Sequence, residues 1–539
     1  MTRKSTLART LAVALKARGV SRAFGVPGSG ACLDVMAAAH DEGIDFVLTQ
    51  SESAAAIMAA VTAELSGAPG VVITGLGPGV MSAVNGIAYA ALERSPVVLL
   101  SDCIDDGAEP WLTYQRIDQG AVYEPLVKAY GRLRAEDGAA AIEALLDTAL
   151  AHPRGPVHMD LGAAQAVAQV TGAAPAAAGP QSEMPGEGDM AAARALLSDC
   201  RRPVIVAGIE ARDDGAGEAL GALAEALDCP VLFTYKAKGV ISDEEPRAVG
   251  LFTGATVEAD CLQRADLVIL YGLDPVEIIP QPWRYAAPVL NMSLAARRLP
   301  VEPAAAMIGP LAHCAEALRG AARKSAWTVA EMTSLGDAYR RRVAIPDSSS
   351  APTGHSAQAV VEAVAAAKPP EVRVTIDSGA HMFSAMTFLD ARAPGDVLTS
   401  NGLSTMAYAL PAAIAAALHE PGRGAVALIG DGGMMMCLSE LATAQRLGCR
   451  VAVVVFNDAA LSLIDIKQCK RGLPRHGVRY PRIDMAAAAR ALGCRAWSVG
   501  GDDALAPVLA EALAGDGPAL VDVTVDPSGY AAQLDALRG

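Results

Sequence analysis

Aromatic residues are scarce in this 539-residue chain, at 4% of the total. Its cores must therefore be filled by Ala, Val and Leu rather than by large rings. Long apolar runs are missing too. The longest candidates, Ala407–Leu418 and Ser53–Leu65, are interrupted by Pro411 or by Thr62 and Glu64, and none reaches the ~18 residues that would span a bilayer. The N-terminal stretch is basic at Arg3, Lys4 and Arg9 and lacks the apolar core and small-residue cleavage site of a signal peptide. Ten cysteines are scattered with no C-x-x-C pair, so neither zinc nor a disulfide framework is expected, and a reducing cytoplasm fits. Positive charge is in deficit, with 44 Lys and Arg against 59 Asp and Glu. The net charge of −15 argues against a nucleic-acid partner. Three motifs are also missing. No G-x-G-x-x-G sits in a strand-to-helix setting, and there is no G-x-x-x-x-G-K-[ST] and no G-x-S-x-G. Nicotinamide-type, Walker-type and α/β-hydrolase readings are thereby disfavoured.

What is present is a globular composition, 52% hydrophobic and 19% charged. Short apolar runs alternate with Ala-rich helical patterns, the rhythm of βα units and parallel sheets. The expected fold class is α/β, with three doubly wound parallel-sheet domains. Composition shifts place them at 1–165, 191–325 and 354–539, joined by linkers at 166–190 and 326–353. Helices are expected at Leu7–Ala17, Ser53–Leu65, Met81–Leu92 and Met435–Leu447.

The most specific local feature is Gly430-Asp431-Gly432-Gly433, entered directly from the apolar run Ala425–Ile429. Ligands of open parallel sheets bind beyond the carboxyl ends of strands, and glycines there let a backbone approach a diphosphate closely. The next run ends at Asn457-Asp458, placing Asp458 27 residues after Asp431. If the two strands are neighbours, about 4.8 Å apart, both carboxylates can converge on one hard cation such as Mg2+. The same residues would also serve merely to start a helix and make a turn. Glu52 stands after another apolar run, at the head of a helix carrying Ala54, Ala55 and Ala56. A first-turn Glu favours the helix dipole, while apolar surroundings would raise its pKa and suit it to proton exchange. Gly25–Gly30, Gly75–Gly79 and Ser378-Gly379 are further strand-end loops, and His381 next to the last is most simply a structural histidine.

The spacing of Gly430-Asp431-Gly432 to Asn457-Asp458 resembles the thiamine diphosphate signature, which begins GDG and ends NN. Phe24-Gly25-Val26-Pro27-Gly28, Ser51-Glu52 and Gly77-Pro78-Gly79 are similar to that family's pyrimidine domain, and Ser400–Met406 with Leu410–Ile414 to its cofactor-embracing segment. The matches fall in order along nearly the whole chain, and they look most like the acetolactate synthase large subunit and the 2-keto acid decarboxylases, including the benzoylformate decarboxylase type. The resemblance implies that Glu52 bonds the aminopyrimidine and drives deprotonation of the thiazolium carbon. Met406 would be the wedge that bends the cofactor, and the Ser404 carbonyl would accept its amino group. Asp431, Asp458 and the Ala460 carbonyl would hold Mg2+. Gly77, His381, Gly430, Gly432, Gly433 and Leu461 would line the cofactor. Ser29, Gly30, Gly75, Gln115, Leu463, Ile464 and Gln468 would form the substrate wall.

Departures from the pattern are informative. Asp458 replaces the usual second Asn, and Ser51 stands where many relatives carry His. Gly208-Ile209-Glu210 and Leu273–Glu277 replace the flavin-binding segments of some acetolactate synthases, which puts bound FAD in doubt. The resemblance implies decarboxylation of a 2-keto acid with carboligation. The alternatives are a simple decarboxylase releasing an aldehyde and a non-catalytic paralogue. Because Glu52 and the metal residues lie in different blocks, it further implies a homodimer or homotetramer with active sites at the subunit interface.

Overall fold

The computed structural model describes residues 5–170, 184–279, 281–345, 354–501 and 503–538. Three sheets follow the three blocks. The first has six parallel strands: β1 (Arg22–Val26), β2 (Asp45–Leu48), β3 (Gly70–Thr74), β4 (Val97–Cys103), β5 (Ala129–Leu133) and β6 (Val157–Gly162), in the order β2-β1-β3-β4-β6-β5. The second holds β7 (Pro203–Ala207), β8 (Val231–Phe233), β9 (Ala248–Leu251), β10 (Leu267–Tyr271), β11 (Val289–Ser293) and β12 (Ala305–Ile308) in the order β9-β8-β7-β10-β11-β12. The third comprises β13 (His355–Ser356), β14 (Arg373–Ile376), β15 (Val397–Thr399), β16 (Ala425–Gly430), β17 (Val451–Asn457), β18 (Arg495–Val499) and β19 (Ala519–Asp526). Its path is β13-β19-β17-β16-β14-β15, with β18 also on β19. The doubly wound α/β expectation is met.

The helices that matter for the site are α1 (Leu7–Ala17), α2 (Ala31–Asp41), α3 (Glu52–Ser66), α4 (Pro78–Ser82), α5 (Val84–Leu92), α6 (Gln119–Tyr123), α7 (Val329–Val343), α8 (Ala409–His419), α9 (Asp431–Cys437), α10 (Glu440–Arg446) and α11 (Ser462–Lys470). The three sheets fall into two compact units. One is Met1–Gln181 with Gly402–Ala425 and Cys437–Val451; the other is Ser182–Asn401 with Val426–Met436 and Ala452–Gly539. Thus α8 and α10, although late in sequence, belong with the first sheet, and α8 packs on α3.

The shortage of aromatics has a visible counterpart in α3, where Ala54 to Val61 and Ala63 are all buried. Small side chains let neighbouring backbone close in. A Cβ on Gly86 of α5 would come 2.4 Å from that of Ala56, and one on Gly70 would come 2.1 Å from the Ala59 carbonyl. Alanine and glycine trade side-chain area for proximity here.

Several expectations need correction. The helix expected at Met435–Leu447 begins at Asp431 and breaks between α9 and α10, and Met81–Leu92 is divided between α4 and α5. The stretch 326–353, read as a connector, contains the fifteen-residue α7, opened by a Thr328–Glu331 capping box; residues 346–353 lie outside the described ones. In 166–190, residues 171–183 lie outside them as well, while Gln169–Val170 pairs with Ser5–Thr6 and a helix begins at Glu187. No helix among the described residues is long and apolar enough to cross a membrane, and all ten cysteines are free.

Candidate functional site

In the second unit, β16 and β17 are neighbours, so the conditional in the sequence argument is satisfied. Asp431 and Asp458 therefore stand at adjacent strand ends. Burial, and next the charge of Asp458, push the Asp431 carboxyl up to about 6. Burial likewise raises Asp458, whose carboxylate accepts from Ser462 at the head of α11. Asp431 Oδ1 accepts the Gly432 N–H at 2.9 Å, and the Tyr480 phenol and Ala459 N–H also favour its charged form, but its buried Oδ2 has no hydrogen bond of good geometry among the described residues. Two buried, mutually repelling carboxylates with an unanswered oxygen form a seat for positive charge. Among the described residues no cluster of three or more His, Cys, Asp or Glu side chains could hold a metal. A Mg2+ ion would draw only part of its octahedron from the chain and the rest from phosphate and water, its usual habit.

The surroundings are tightly drawn. A Cβ on Gly433 would fall 2.1 Å from Asp377 Oδ2, so only glycine fits that turn. His381 stacks on Phe456 at 4.9 Å, and burial pushes it down to about 4, leaving it neutral with its buried Nε2 unpartnered. Beyond β17 the chain makes a closed excursion. Leu461 N–H bonds the Val478 carbonyl at 2.8 Å, and Tyr480 N–H bonds that of Ala459 at 3.2 Å. Ala460 pairs with Arg479, which brings the Tyr480 phenol beside Asp431. Nothing local in the sequence marks Tyr480, which lies 22 residues past Asp458. Leu463 and Ile464 follow on α11, Ile464 being 44% exposed, and Gln468 donates to the His476 carbonyl at 3.0 Å. Asn457 instead turns inward, its amide bonding Asp522 at 2.9 Å and Ile483 at 3.1 Å.

In the first unit, Ser51 caps α3 by accepting the Ala54 N–H at 3.1 Å. The Glu440 carboxylate of α10 accepts from Gln50 and Ser51 N–H at 2.9 and 3.0 Å. These bonds settle the backbone around Glu52, whose own carboxyl has no hydrogen bond among the described residues. Gly30 and Cys32 N–H donate to Asp102 at 3.0 and 2.7 Å, with Ser29 just before them. Gly75 packs on Gly28, and Gly77, at φ 65°, lies so close to Gln115 that a Cβ there would fall 2.9 Å from its carbonyl oxygen. Ser404 and Met406 lie in a segment docked along α5 through Gly402 N–H to Glu93 after its last turn (2.8 Å) and Asn85 in its first turn to Thr405 (3.1 Å).

Backbone strain singles out the same segments. Among the described residues six non-glycine positions have positive φ, and four of them are Gln115, Ser404, Ala407 and Ala459. Such conformations cost roughly 1–3 kcal/mol each and persist where the surroundings enforce them.

The middle sheet ends differently. Its strand order is that of dinucleotide-binding folds, with the crevice expected between β7 and β10. The chain fills that crevice itself. Glu277 accepts the Ile209 N–H at 2.8 Å, the Asp274 N–H at 3.2 Å and the Thr234 hydroxyl. Glu210 accepts from Leu294 N–H at 2.9 Å and Ser293 at 3.1 Å, and pairs with Arg297 at 2.6 Å. A Cβ on Gly208 would already strike Leu273 at 2.4 Å. The hydrogen-bonding groups at this place are thus taken up by the chain itself.

Comparison with known proteins accords with this geometry. Residues 5–122, 190–318 and 377–523 match the N-terminal TPP binding, central and C-terminal TPP binding domains of thiamine pyrophosphate enzymes. An acetolactate synthase of Bacillus subtilis is 28% identical over 528 residues, 95% of this chain and 91% of its own. A catabolic acetolactate synthase of Raoultella terrigena is 28% identical over 527 residues, 95% of this chain and 93% of its own. A probable 2-ketoarginine decarboxylase of Pseudomonas aeruginosa is 29% identical over 500 residues, 88% of this chain and 86% of its own. With three domain models matching in order and relatives aligning nearly end to end, the chain belongs to the thiamine pyrophosphate-dependent enzymes, in their acetolactate synthase-like group.

Proposed function

We propose that the chain decarboxylates a 2-keto acid with thiamine diphosphate and Mg2+ and joins the remaining fragment to a second carbonyl compound, as an acetolactate synthase does. The observation that carries this reading is the buried Asp431–Asp458 pair at adjacent strand ends, with one oxygen unanswered. The bound cofactor would supply the electron sink that makes loss of CO2 feasible. In this reading Asp431, Asp458 and the Ala460 carbonyl hold the cation. Gly430, Gly432, Gly433 and Leu461 let backbone approach the diphosphate, and His381, kept neutral by burial, adds no competing charge. Mg2+ is needed because the whole chain, at −15, repels an anion.

Glu52 would hold a proton on its carboxyl and exchange it with the pyrimidine ring. Gly77, the Ser404 carbonyl and Met406 would hold the pyrimidine side of the cofactor, the carbonyl as an acceptor and Met406 as an apolar support. The strain at Ser404 and Ala407 is then the cost of presenting that carbonyl and that support together. Ser29, Gly30, Gly75, Gln115, Leu463, Ile464 and Gln468 would form the substrate wall. We place the enzyme in the cytoplasm, as a homodimer or homotetramer whose subunits share active sites; FAD has no place in the proposal.

The test is to give purified enzyme, thiamine diphosphate and Mg2+ a panel of 2-keto acids, with and without acceptor carbonyls, measuring CO2 and the carbon skeleton of the product. A branched hydroxy-keto acid is expected. An aldehyde alone assigns a simple decarboxylase, a reading favoured by the similarity to the probable 2-ketoarginine decarboxylase. No CO2 from any keto acid leaves a non-catalytic paralogue.

A further inference from the structure

Strands β4 and β6 carry between them a buried polar cluster with no part in the chemistry above. Asp160 Oδ1 accepts from Ser101 Oγ and from Gln119 Nε2, both at 2.7 Å, and its Oδ2 accepts from the Tyr130 hydroxyl at 2.8 Å. His158 Nε2 lies 2.7 Å from Ser101 Oγ and 3.1 Å from Asp160. Serine, histidine and aspartate in mutual contact invite a hydrolytic reading. Ser101 and His158 are only 1% and 0% exposed, however, and the rings of Tyr123 and Tyr130 pack on the imidazole at 4.9 and 5.2 Å. No substrate reaches them.

What the cluster does reach is the glycine loop. Gln119, 3% exposed, uses its carboxamide in both directions. Its Nε2 donates to Asp160 and, at 3.1 Å, to the Asp102 carbonyl, while its Oε1 accepts the Gly77 N–H at 3.2 Å. At the other end of α6, Tyr123 donates its hydroxyl to the Val80 carbonyl. One five-residue helix thus grips the start of α4 at two points, the N–H of its cap Gly77 and the C=O of Val80 in its first turn. Gly79, between these two points, faces Glu52; a Cβ there would stand 3.3 Å from Glu52 Oε1. Burial, and after it the nearby charge of Glu52, push the Tyr123 phenol up, so it remains a donor. The loop that carries Gln115 runs directly into α6 and packs on the open side of Gly77.

We infer that α6 is a two-point clamp that sets the Glu52 carboxyl through the glycine loop, with Gln119 and Tyr123 as positioning residues for proton transfer. The inference rests on the role proposed for Glu52. It also joins the candidate substrate residue Gln115 to the proton-handling group through one short helix, so a shift at either end is felt at the other.

Two variants test it in the full chain. Gln119→Met keeps side-chain length and removes every hydrogen bond of the carboxamide, whereas Tyr123→Phe removes a single oxygen. Hydrogen–deuterium exchange at the Gly77 amide, measured without cofactor, is expected to accelerate about tenfold or more in Gln119→Met. With thiamine diphosphate added, exchange of its C2 proton is expected to slow roughly 10- to 100-fold in both variants. The kcat falls in parallel, KM for the keto acid stays within about threefold, and the pH limb that vanishes in Glu52→Gln is displaced. Lower thermal stability with C2 exchange, kcat and pH limb unchanged overturns the clamp and leaves α6 a structural brace. A wild-type chain that never exchanges the C2 proton overturns the role of Glu52 itself and the clamp with it. Should Gln119→Met fail to fold, Tyr123→Phe decides between these outcomes.

Discussion

The middle and third sheets are built on one doubly wound plan, and both crowd carboxylates at their strand ends. At the middle sheet the chain answers them: Glu277 takes three internal donors, and Glu210 takes two donors and Arg297. At the third sheet Asp431 and Asp458 face each other with like charge, and among the described residues no ion pair answers Asp431. The fold class is the same and so is the residue chemistry. What differs is whether the polar groups are closed by the chain or left for a ligand, and in a close-packed interior an unanswered charge is costly enough to mark a site. Function here is read from incomplete bonding rather than from topology.

The sharpest way to break this contrast is Asp431→Asn. It removes half of the carboxylate pair, so cofactor-dependent activity is expected to fall about 10³-fold. The cofactor-free chain should be no less stable, because a repulsion is relieved. Thermal denaturation with and without Mg2+ and thiamine diphosphate, beside turnover, checks both halves. A large loss of stability without ligands would show that Asp431 is answered internally after all.

Glu52→Gln probes the first sheet in the same spirit. The chain should fold and bind cofactor, while exchange of the cofactor C2 proton drops by roughly 10²–10⁴. NMR of the C2 proton in deuterated buffer reports it directly, and unchanged exchange removes Glu52 from the mechanism.

For the middle sheet the expectation is reversed. Glu277→Ala strands the Ile209 and Asp274 N–H groups and the Thr234 hydroxyl, at a cost of about 2–4 kcal/mol, while turnover per folded molecule holds. Added FAD should leave the melting temperature of the parent chain unmoved. The pH behaviour adds a signature. Burial pushes the Glu277 carboxyl up to about 8, against 4.5 ordinarily. Between those values the folded state holds a proton that the unfolded state has released, so stability falls as pH rises through the window and levels off above about 8. Glu277→Gln, which mimics the protonated form, should flatten this part of the denaturation profile at little cost near neutrality.

The contrast was only half legible in the sequence. The strand runs at Gly70–Thr74 and Pro203–Ala207 could be read to the residue, because both are short, apolar and followed by glycine or proline punctuation. Strands β5 and β18 are half-exposed, and β11 carries Asn291 within it, so none offers a continuous apolar run to read. The helix α7 was hidden by its charge, although Met332, Leu335, Tyr339 and Val343 already fall on one face and Thr328 with Glu331 announces its start. At the candidate site, Asp431 and Asp458 stand out because each sits in a local motif. Gln119, Tyr480 and Glu440 do not, since the groups they bond or face lie 42, 49 and about 390 residues away. Long-range hydrogen bonds leave no periodicity to find.

The smallest effect is expected where the first sheet combines both styles. Around Glu52 the backbone donors are closed internally, by Ser51 Oγ on Ala54 N–H and by Glu440 on Gln50 and Ser51 N–H, while the Glu52 carboxyl itself is left open. Ser51→Ala removes one of these closures, and loss of a helix cap typically costs about 1 kcal/mol. Because Glu440 still fixes the two residues that lead into the helix, C2-proton exchange should change by less than about threefold. Chemical denaturation and the exchange rate, measured on the same preparation, separate the two contributions. If exchange collapses while stability falls only by the value of a cap, then it is Ser51 rather than Glu440 that aims Glu52, and the line between closed backbone and open side chain has to be redrawn one residue earlier.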